Sequence, residues 1–548
     1  MLELSYPGAD LRAESYNGKS LHERVRGKFY TPEILAVQLA KSVVESIQKS
    51  TTKRKDIFIV DPFCGDGQLL CSFLKAASRL EHFSNIRWSI HLYDIDEEAV
   101  KEAKSRVLSA ASLLGVSVSI ETRVGDSFFY ESPTKFDIVI TNPPWELLKP
   151  DRRETSHMSA SEAASYRDSL KKLSDRLEAR FPDSKSRSAW GGWSTNLARC
   201  GWDLSIDMTA NDGVVGIILP ASLLGDQSSA RLREKAFTAC SVEEIAVYPA
   251  EARLFAKVDQ PVVTLIMSPG KSISKKSNFV AYDASGNKAS SQFIEIESYF
   301  EADRFYTLPV LLGPSGFKFM SKFHGFKPLE HFEGTEDNQL WLGRELDETR
   351  ISEKIGAGSS HPFIKGKMIR RHEILAGPQD FVKTEFVKGM ESIGKNRIVW
   401  RDVSRPTQER RMITAMIPPQ WIAGNSLHVA CYRDGNLQRT RAFYAIMSSL
   451  MVEFQVRFRS ATNHMSLGVI RQAAVPEITA RNEKLLSELV AKVLNEDAED
   501  RSAHLLEIAA AKLYGFSRGE MISLLDCLPK VSDSSAELMT QQASWSKF

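Results

Sequence analysis

Short apolar runs alternate with stretches of helical periodicity between residues 56 and 267. Seven of these runs are rich in β-branched and aromatic residues and predict strands at residues 57–60, 88–93, 116–120, 136–140, 213–219, 244–248 and 261–267. Strands that alternate with helices form a parallel sheet covered on both faces, so the pattern predicts an α/β fold. Only about a dozen residues separate the last two runs. Since a parallel crossover needs more chain, we expect the last strand to be antiparallel to its neighbour.

The pattern changes at further points along the chain. Residues 150–212 are polar and rich in Ser and Arg at first. We expect their first half to be an exposed or mobile insertion and their second half to be a helix that packs tryptophans on the sheet. Gly- and Pro-punctuated segments follow, and helical periodicity returns near the C-terminus. We therefore expect a sheet domain over residues 1–270, a mixed α+β domain over residues 271–480 and a helical tail over residues 481–548.

Length and charge limit the function classes. A chain of 548 residues fits two or three domains rather than one core. The formal net charge is only +2, but residues 361–480 contain 18 Lys and Arg against 9 Asp and Glu. A locally basic module on a nearly neutral protein favours a polyanionic partner.

Cysteine spacing and hydropathy address metals and membranes. The 6 cysteines are scattered, without a C-x-x-C pair or a zinc-like spacing, so we expect reduced thiols and no structural metal. The N-terminus has no charged start followed by an apolar stretch, and no run of about 18 apolar residues is present. We expect a cytoplasmic protein with no membrane partner.

The first predicted strand ends in the glycine loop "VDPFCGDGQLL". Gly65 and Gly67 allow a sharp turn and a close approach of the backbone to a ligand, and a helix begins near Gln68. By itself this is a weak signal for a nucleotide-like cofactor. Leu70 stands where a dinucleotide fingerprint has its third glycine, which disfavours a hydride-transfer enzyme.

Acids follow the next two predicted strands. In "LYDIDEEAV", Asp94 is well placed to bind a ribose diol, whereas Asp96 is the better candidate for an ordinary helix N-cap. In "VGDSFF", Asp126 offers an acceptor for an exocyclic amine and Phe128 an aromatic face for adenine.

The fourth predicted strand ends in "TNPPW". Pro143 and Pro144 stiffen this loop and remove two backbone donors. The Asn142 side-chain oxygen, the free carbonyls and the Trp145 ring together make a receptor for an amino group on a planar ring. The alternative is an ordinary loop that binds no ligand.

Upstream lies "GKFYTPEIL", in which Thr31 as N-cap, Pro32 and Glu33 form a good helix start. Capping does not explain Phe29 and Tyr30. Phe29 and Tyr30 could pack the start of the helix against the core, or they could contact a ligand.

In this order the motifs resemble those of the gamma-class DNA adenine-N6 methyltransferases of type II, including type IIS, restriction-modification systems. The resemblance covers about residues 20–270, and a weaker resemblance continues to about residue 480. It implies a seven-stranded Rossmann-like sheet that binds S-adenosylmethionine, followed by a C-terminal mixed α+β target recognition domain. It also implies a bacterial or archaeal, site-specific and adenine-specific enzyme.

The resemblance assigns roles to individual residues. The implied cofactor-binding residues are Phe29, Tyr30, Thr31, Pro32, Asp61, Pro62, Gly65, Gly67, Asp94, Ile95, Asp126, Ser127, Phe128 and Asn142. The implied catalytic residues are Asn142, Pro143, Pro144 and Trp145. Trp145 and Phe255 are implied to sandwich a flipped base, although Phe255 could equally be an ordinary loop hydrophobe.

Basic segments of the second domain interleave Arg and Lys with aromatic residues, which suits phosphate contacts and stacking. We expect DNA-backbone contacts from Lys365, Lys367, Arg370, Arg371, Arg401, Arg410 and Arg411, with "RPTQERR" on the DNA-facing side. A solvated charged face is the alternative. The implied partners are double-stranded DNA and, for an enzyme of a restriction-modification system, a cognate endonuclease. We expect a monomer.

Two other functions stay open. The same loop chemistry serves methyltransferases of RNA adenine or protein glutamine, which usually lack a large C-terminal domain and the FYTP helix. A catalytically silent DNA-specificity subunit is the other alternative, against which the intact Asn142, Pro143 and Asp94 argue. The sequence gives neither the recognition site nor the modified strand.

Overall fold

The computed structural model describes residues 31–50, 55–80, 83–150, 155–156, 158–185, 195–255, 260–270, 276–296, 306–309, 312–348, 355–356, 360–375, 377–460, 463–495, 502–528 and 531–548. The chain divides into two compact units, Met1–Thr307 and Leu308–Phe548, called unit 1 and unit 2 below. In the described part of the chain, no helix has the length and apolar character that a membrane crossing requires.

Unit 1 is built on one large mixed sheet. Its strands are β1 (Asp56–Asp61), β2 (Arg87–Asp94), β3 (Val118–Val124), β4 (Phe136–Thr141), β5 (Thr209–Pro220), β6 (Cys240–Tyr248), β7 (Val262–Pro269), β8 (Lys276–Tyr282) and β9 (Lys288–Glu295). They lie in the order β3-β2-β1-β4-β5-β7-β6-β8-β9. Strand β7 is antiparallel to both of its neighbours, which confirms the expected antiparallel strand.

The described helices of unit 1 are α1 (Glu33–Ser50), α2 (Gln68–Ala77), α3 (Glu97–Leu113), α4 (Ala160–Arg180), α5 (Leu197–Met208) and α6 (Ala230–Ala239). Helix α1 packs closely on β5, because Gly216 leaves room for Val43: a Cβ at Gly216 would lie 2.3 Å from the Val43 side chain. Residues 150–212 contain α4 and α5, and Trp202 of α5 is buried, as the sequence pattern predicted for the second half of this segment. The expectation of an exposed or mobile insertion in the first half is wrong for α4, which buries Tyr166, Leu170 and Leu177 in the core of unit 1.

The sheet has nine described strands rather than the seven expected, and unit 1 continues to residue 307 rather than 270. All seven expected strands are present, and the β8-β9 hairpin extends the sheet by pairing β8 in parallel with β6. Tyr248 and Tyr282 stack across this junction with ring centroids 4.4 Å apart. The sequence pattern did not predict this hairpin. Most of β9 is exposed and polar, so β9 lacks the apolar alternation of a half-buried strand.

Unit 2 is mixed α+β. Its strands are β10 (Lys327–Pro328), β11 (Leu340–Gly343), β12 (Ile355–Gly356), β13 (His361–Ile364), β14 (Ile369–Arg370), β15 (Glu373–Ile374), β16 (Asp380–Val382), β17 (Arg397–Arg401), β18 (Thr414–Ile417), β19 (Ile422–Ala423), β20 (Leu427–Tyr432) and β21 (Ala474–Val475). They form small sheets, among them one of order β11-β20-β17-β18 and one of order β12-β16-β13-β19.

The helices of unit 2 that the structure describes are α7 (Gly313–Met320), α8 (Leu437–Met447), α9 (Leu450–Arg459), α10 (Leu467–Arg471), α11 (Ala480–Asn495), α12 (Ala503–Leu513), α13 (Arg518–Asp526), α14 (Asp533–Thr540) and α15 (Gln542–Trp545). The expected helical tail is therefore helical, but it is part of unit 2.

Buried Glu507 of α12 accepts a hydrogen bond of 2.6 Å from the first N–H of α9, at Leu450.

A second buried carboxylate, Glu453 on α9, organises the loop that precedes β18. Glu453 accepts hydrogen bonds from the backbone N–H groups of Arg411 and Met412 and from Arg457 Nε at 2.6 Å. Burial alone would raise the pKa of Glu453, but the charges of Arg457 and Arg410 and the backbone donors lower it. The ionised carboxylate thus joins a loop and a helix that are about 40 residues apart in sequence.

Replacing Glu453 with Ala should destabilise unit 2 by about 3 to 5 kcal/mol, because it leaves buried donors and a cation unpaired. Urea unfolding of the full chain, followed by circular dichroism, measures the loss. Glu488→Ala, which removes an exposed carboxylate on α11, is the control and should stay within about 0.5 kcal/mol of the parent. Equal stability of the two variants would contradict the role given to Glu453.

Candidate active site

The sheet order of unit 1 reverses at β1, which lies between β2 and β4. In open α/β sheets ligands bind at such a switch point, outside the carboxyl ends of the strands. The glycine loop, the two acid motifs and the TNPPW loop each follow the carboxyl end of one of the strands β1 to β4. The fold therefore brings the four predicted motifs to one edge.

The glycine loop lies directly against α3. Gly65 and Gly67 have positive φ angles of 49° and 80°, which only glycine adopts readily. A Cβ at Gly67 would lie 3.0 Å from the backbone Cα of Ala103. The Gly65 N–H donates a 2.9 Å hydrogen bond to Asp94 Oδ2, so the loop is fastened to the end of β2.

The two acids after β2 have different roles. Asp96 is the N-cap of α3 and accepts from the backbone N–H groups of Glu98 and Ala99, which confirms the capping interpretation. Asp94 accepts from Gly65 and from the Asp96 N–H, and burial raises its pKa. Asp94 is thus the acid that faces the glycine loop, while Ile95 between the two is exposed.

Asp61 joins the ends of β1 and β4. Its Oδ1 accepts hydrogen bonds from Thr141 Oγ1 at 2.7 Å and from the Phe63 N–H at 3.1 Å. Its Oδ2 is buried and has no hydrogen-bond partner among the residues that the structure describes. Burial raises the pKa of Asp61 to about 7.

Asn142 is held by the start of α1. Its Nδ2 donates a 3.3 Å hydrogen bond to Thr31 Oγ1. Its Oδ1 is buried and lacks a hydrogen-bond partner within the described residues. The amide is thus held by its nitrogen and presents its oxygen, which is the orientation that an acceptor for an amino group requires.

Trp145 and Phe255, the two rings implied to sandwich a base, are in direct contact with each other. Their ring centroids are 4.9 Å apart with an interplanar angle of 63°, an edge-to-face contact. Phe255 is buried, and Trp145 Nε1 is a buried donor with no described partner. The two rings contact each other instead of facing each other across the gap that a sandwiched base would need.

The motif after β3 is more deeply buried than expected. Asp126 accepts from the Phe128 N–H at 3.0 Å, and burial raises the pKa of Asp126. Phe128 and Ser127 are both buried. The Phe128 ring packs against Phe63 and Phe181, at centroid distances of 5.0 Å and 6.0 Å.

Helix α5 supports the TNPPW loop, which sequence reasoning missed. A Cβ at Gly201 would lie 2.3 Å from the Pro143 side chain, so only glycine allows this contact. The Leu148 N–H donates to the Thr195 carbonyl, and the Leu197 N–H donates to the Glu146 carbonyl. The available signal was the glycine within the buried helix "LARCGWDL", where a glycine lowers helix stability without a packing reason.

Among the other predicted cofactor residues, Phe29 and Tyr30 lie outside the described residues. Pro32 stands next to Thr31 at the start of α1, and Pro62 is buried in the glycine loop. Pro144 is half-buried and follows the close contact of Pro143 with α5.

The family comparison concerns unit 1, which carries the predicted motifs. Residues 18–173 match the family model of the N-6 DNA methylases. This match confirms the resemblance that the motifs suggested, over the part of the chain that carries most of them.

Two curated relatives are type II methyltransferases. M.VspI of Vibrio sp. (strain 343) is 31% identical over 145 residues, which are 26% of this chain and 30% of that enzyme. M.BanIII of Aneurinibacillus aneurinilyticus is 34% identical over 152 residues, which are 24% of this chain and 25% of that enzyme. The similarity thus spans under a third of the length of either relative.

Solved structures extend the similarity of fold over both units. The Type IIL restriction-modification enzyme MmeI in complex with DNA gives a TM-score of 0.55 at 10% identity, with 96% of this chain and 79% of that chain covered. The DrdV-DNA complex gives a TM-score of 0.55 at 11% identity, with 89% of this chain and 59% of that chain covered. At these identities the comparison shows the fold alone.

Three of the expected DNA-backbone arginines are inside unit 2. Arg411 is only 1% exposed. Arg371 and Arg410 both bind Glu507, and both donate to the Ser448 carbonyl. The expectation that these three contact phosphates is wrong. Arg371 and Arg410 are the cationic partners of the buried carboxylate of Glu507 on α12, and the buried Arg411 guanidinium donates to the Ser460 carbonyl.

The other four expected contacts differ in exposure. Lys367 and Arg370 are exposed, and Arg370 is only loosely paired with Glu373 at 4.0 Å. Lys365 is paired with Glu348 at 3.2 Å. Arg401 is half-buried and donates to the Ile369 carbonyl. Lys367 and Arg370 are therefore the two best placed for phosphates.

The buried carboxyl of Asp61 predicts a pH dependence of stability. Its folded pKa of about 7 lies above the value of about 3.9 expected in the unfolded chain. Between these values the folded state binds the extra proton, so this contribution to stability falls as pH rises toward 7. Asp61→Asn cannot titrate and should lack this fall.

The free energy of unfolding at pH 5 and at pH 8, measured by urea titration, tests this. The advantage of the parent over Asp61→Asn should decrease by at most about 1.4 kcal/mol per pH unit. Asp168→Asn, at an exposed position on α4, is the matched control and should parallel the parent. A constant difference between parent and Asp61→Asn would show that Asp61 does not titrate in this range.

Proposed function

We propose that this chain is a site-specific DNA methyltransferase that transfers a methyl group from S-adenosylmethionine to the N6 amine of an adenine flipped out of double-stranded DNA. The observation that carries the proposal is the buried Oδ1 of Asn142, which lacks a partner among the described residues while Thr31 holds the amide nitrogen. A buried acceptor without a partner costs free energy, so its retention next to a stiff proline pair favours a role in binding a donor.

The residues at the strand ends fit S-adenosylmethionine, which when bound supplies an electrophilic methyl group on a sulfonium. Asp61 is buried and Asp94 and Asp126 are partly buried, and burial raises the pKa of each carboxyl, an environment that a cationic ligand would relieve. Asp94 would bind the ribose hydroxyls, and Gly65 and Gly67 permit close approach of the backbone.

The amine of adenine is a poor nucleophile because its lone pair is delocalised into the ring. In the proposed mechanism, Asn142 Oδ1 and the Pro143 carbonyl accept its two hydrogens, which lets the nitrogen become pyramidal. The stiff Pro143–Pro144 segment keeps both acceptors in place, so their alignment costs little when the substrate binds. Transfer of the methyl group to this nitrogen would form the nitrogen–carbon bond as the carbon–sulfur bond of the sulfonium breaks. The sulfur would leave as a neutral thioether, the methylated amine would release one proton to solvent, and no covalent intermediate with the protein would be needed.

Base flipping gives Trp145 and Phe255 a role. A stacked adenine cannot reach a buried acceptor, so the base must leave the duplex. The edge-to-face contact of the two rings at 4.9 Å fills the space that we assign to the base. We therefore propose that Phe255 moves away from Trp145 when the base enters and then stacks on its other face.

The proposed partner is double-stranded DNA, and the solved relatives of similar fold include enzymes whose structures were determined with DNA. The second unit would be the target recognition domain, with phosphate contacts from Lys367 and Arg370. Protection against a cognate restriction endonuclease is the proposed biological role. We further propose that the chain acts as a monomer.

Expression of the chain in a methylation-deficient host, followed by modification-sensitive sequencing, tests the function directly. The expected result is N6-methyladenine at one defined sequence. If the DNA remains unmodified while purified protein methylates RNA or a protein glutamine, the DNA assignment is wrong.

Asn142→Ala should reduce methyl transfer by about 10²- to 10³-fold, because a preorganised acceptor is lost. The fold and the affinity for S-adenosylmethionine should change little, which calorimetry measures. Asn85→Ala, at an exposed position of the same unit, is the matched control. Activity of Asn142→Ala within a factor of about three of the control would remove Asn142 from the mechanism.

A further inference from the structure

Three residues of unit 2 meet at one edge of the sheet formed by β11, β20, β17 and β18. Arg344 follows the last residue of β11, Asp402 follows the last residue of β17, and His428 is the second residue of β20. Because β20 is antiparallel to both β11 and β17, the ends of those two strands and the start of β20 lie together. We call Arg344, Asp402, His428 and the neighbouring His464 the edge cluster.

Asp402 is the centre of the edge cluster. His428 Nε2 lies 2.9 Å from Asp402 Oδ1, and Arg344 Nη2 lies 3.1 Å from Asp402 Oδ2. Arg344 Nε also lies 3.5 Å from His428 Nδ1. Burial alone would raise the pKa of Asp402, but the hydrogen bond from His428 and the charges of Arg344 and His464 lower it. The carboxylate is therefore ionised and holds the guanidinium at Nη2, while His428 Nδ1 accepts from Nε.

His464 reaches the same carboxylate from another loop. Its Nδ1 lies 3.4 Å from Asp402 Oδ2. A β-bridge between Val403 and His464 and a hydrogen bond of 2.8 Å from the Ser404 N–H to the Asn463 carbonyl fix this loop against the end of β17. Backbone pairing thus positions the imidazole.

Exposure separates the members of the edge cluster into two groups. The side chains of Arg344 and His464 are 46% and 67% exposed, whereas that of His428 is 2% exposed. Val403 beside them is also exposed. The cluster therefore presents a fixed guanidinium, a fixed imidazole and an apolar side chain, and these are supported by the buried His428 and the ionised Asp402.

The charge balance distinguishes this surface from a phosphate-binding patch. The ionised Asp402 offsets the charge of Arg344, so the cluster adds little net positive charge. Phosphate contacts depend on net positive charge, whereas base edges are recognised by fixed donors and acceptors. Guanine presents two acceptors, O6 and N7, in the major groove, a geometry that matches a guanidinium.

We propose that Arg344 and His464 contact base edges in the major groove of the DNA, that Arg344 reads a guanine of the recognition sequence, and that Asp402 is a positioning residue for both. This inference rests on the proposed function and names the residues that give the enzyme its site preference. The competing role is structural, in which the edge cluster only fastens the 463–465 loop to the sheet.

The experiment compares methylation rates of the full-length protein on the parent recognition sequence and on its single-base variants. Arg344→Ala should lower discrimination at one guanine position by about 5- to 150-fold, with other positions unchanged. Asp402→Asn should relax the same position, and the double variant should be no worse than Arg344→Ala alone, since both remove one contact. His464→Ala should relax a neighbouring position.

Arg370→Ala is the matched control, because it removes an exposed arginine from the same unit. It should weaken DNA binding equally on all sequences, with a shallower salt dependence and the site preference retained. Thermal unfolding identifies variants that lose the fold, and Arg344→Lys provides a second test, since a lysine keeps the charge without the planar fork.

If Arg344→Ala and Arg344→Lys are folded and retain full discrimination at every position, the inference is wrong. The same holds if they lose rate equally on all sequences, which is the behaviour of a phosphate contact. A parent protein that methylates no DNA would instead overturn the proposed function, so the two failures are distinguishable.

Discussion

The candidate active site depends on how a stiff loop is fixed from several sides. Pro143 and Pro144 prevent the TNPPW loop from adjusting its own backbone, so its neighbours set its position. Thr141 at the start of the loop is bonded to Asp61, and Asn142 is bonded to Thr31. On the opposite side Gly201 of α5 allows close contact with Pro143. A loop fixed in this way can keep a buried acceptor without letting it turn to another partner.

The sequence predicted the parts of this site that depend on local signals. Strand ends, glycines with positive φ and the Asp96 cap are encoded within a few residues, and the structure has them where the pattern indicated. The supporting role of Gly201 depends on a contact between segments that are about 60 residues apart, which periodicity cannot reveal. The β8-β9 hairpin was missed for a related reason, since its exposed polar strand has no apolar pattern.

The local excess of Lys and Arg led to a wrong expectation for three arginines of unit 2, and the reason is physical. A local excess of Lys and Arg is read as an exposed basic surface, but a count cannot tell an exposed cation from one that neutralises a buried acid. Glu507 lies far along the chain from the arginines that it binds, so the count over residues 361–480 included Arg371 and Arg410 without their partner. Arg371 and Arg410 instead form an internal ionic network with Glu507, and this network holds α9 and α12 in unit 2.

This separation of buried from exposed cations bears on how affinity and specificity are divided in unit 2. Exposed cations such as Lys367 and Arg370 suit an attraction to DNA that is independent of sequence. Arg344 is different, because a carboxylate fixes its orientation and cancels much of its charge. Such an arginine gains little from phosphates but loses little conformational entropy on meeting a base that fits it. Pairing with carboxylates thus removes Arg371 and Arg410 from the surface, whereas at Arg344 it leaves a half-exposed guanidinium in a fixed orientation, which is the property that the proposed base contact requires.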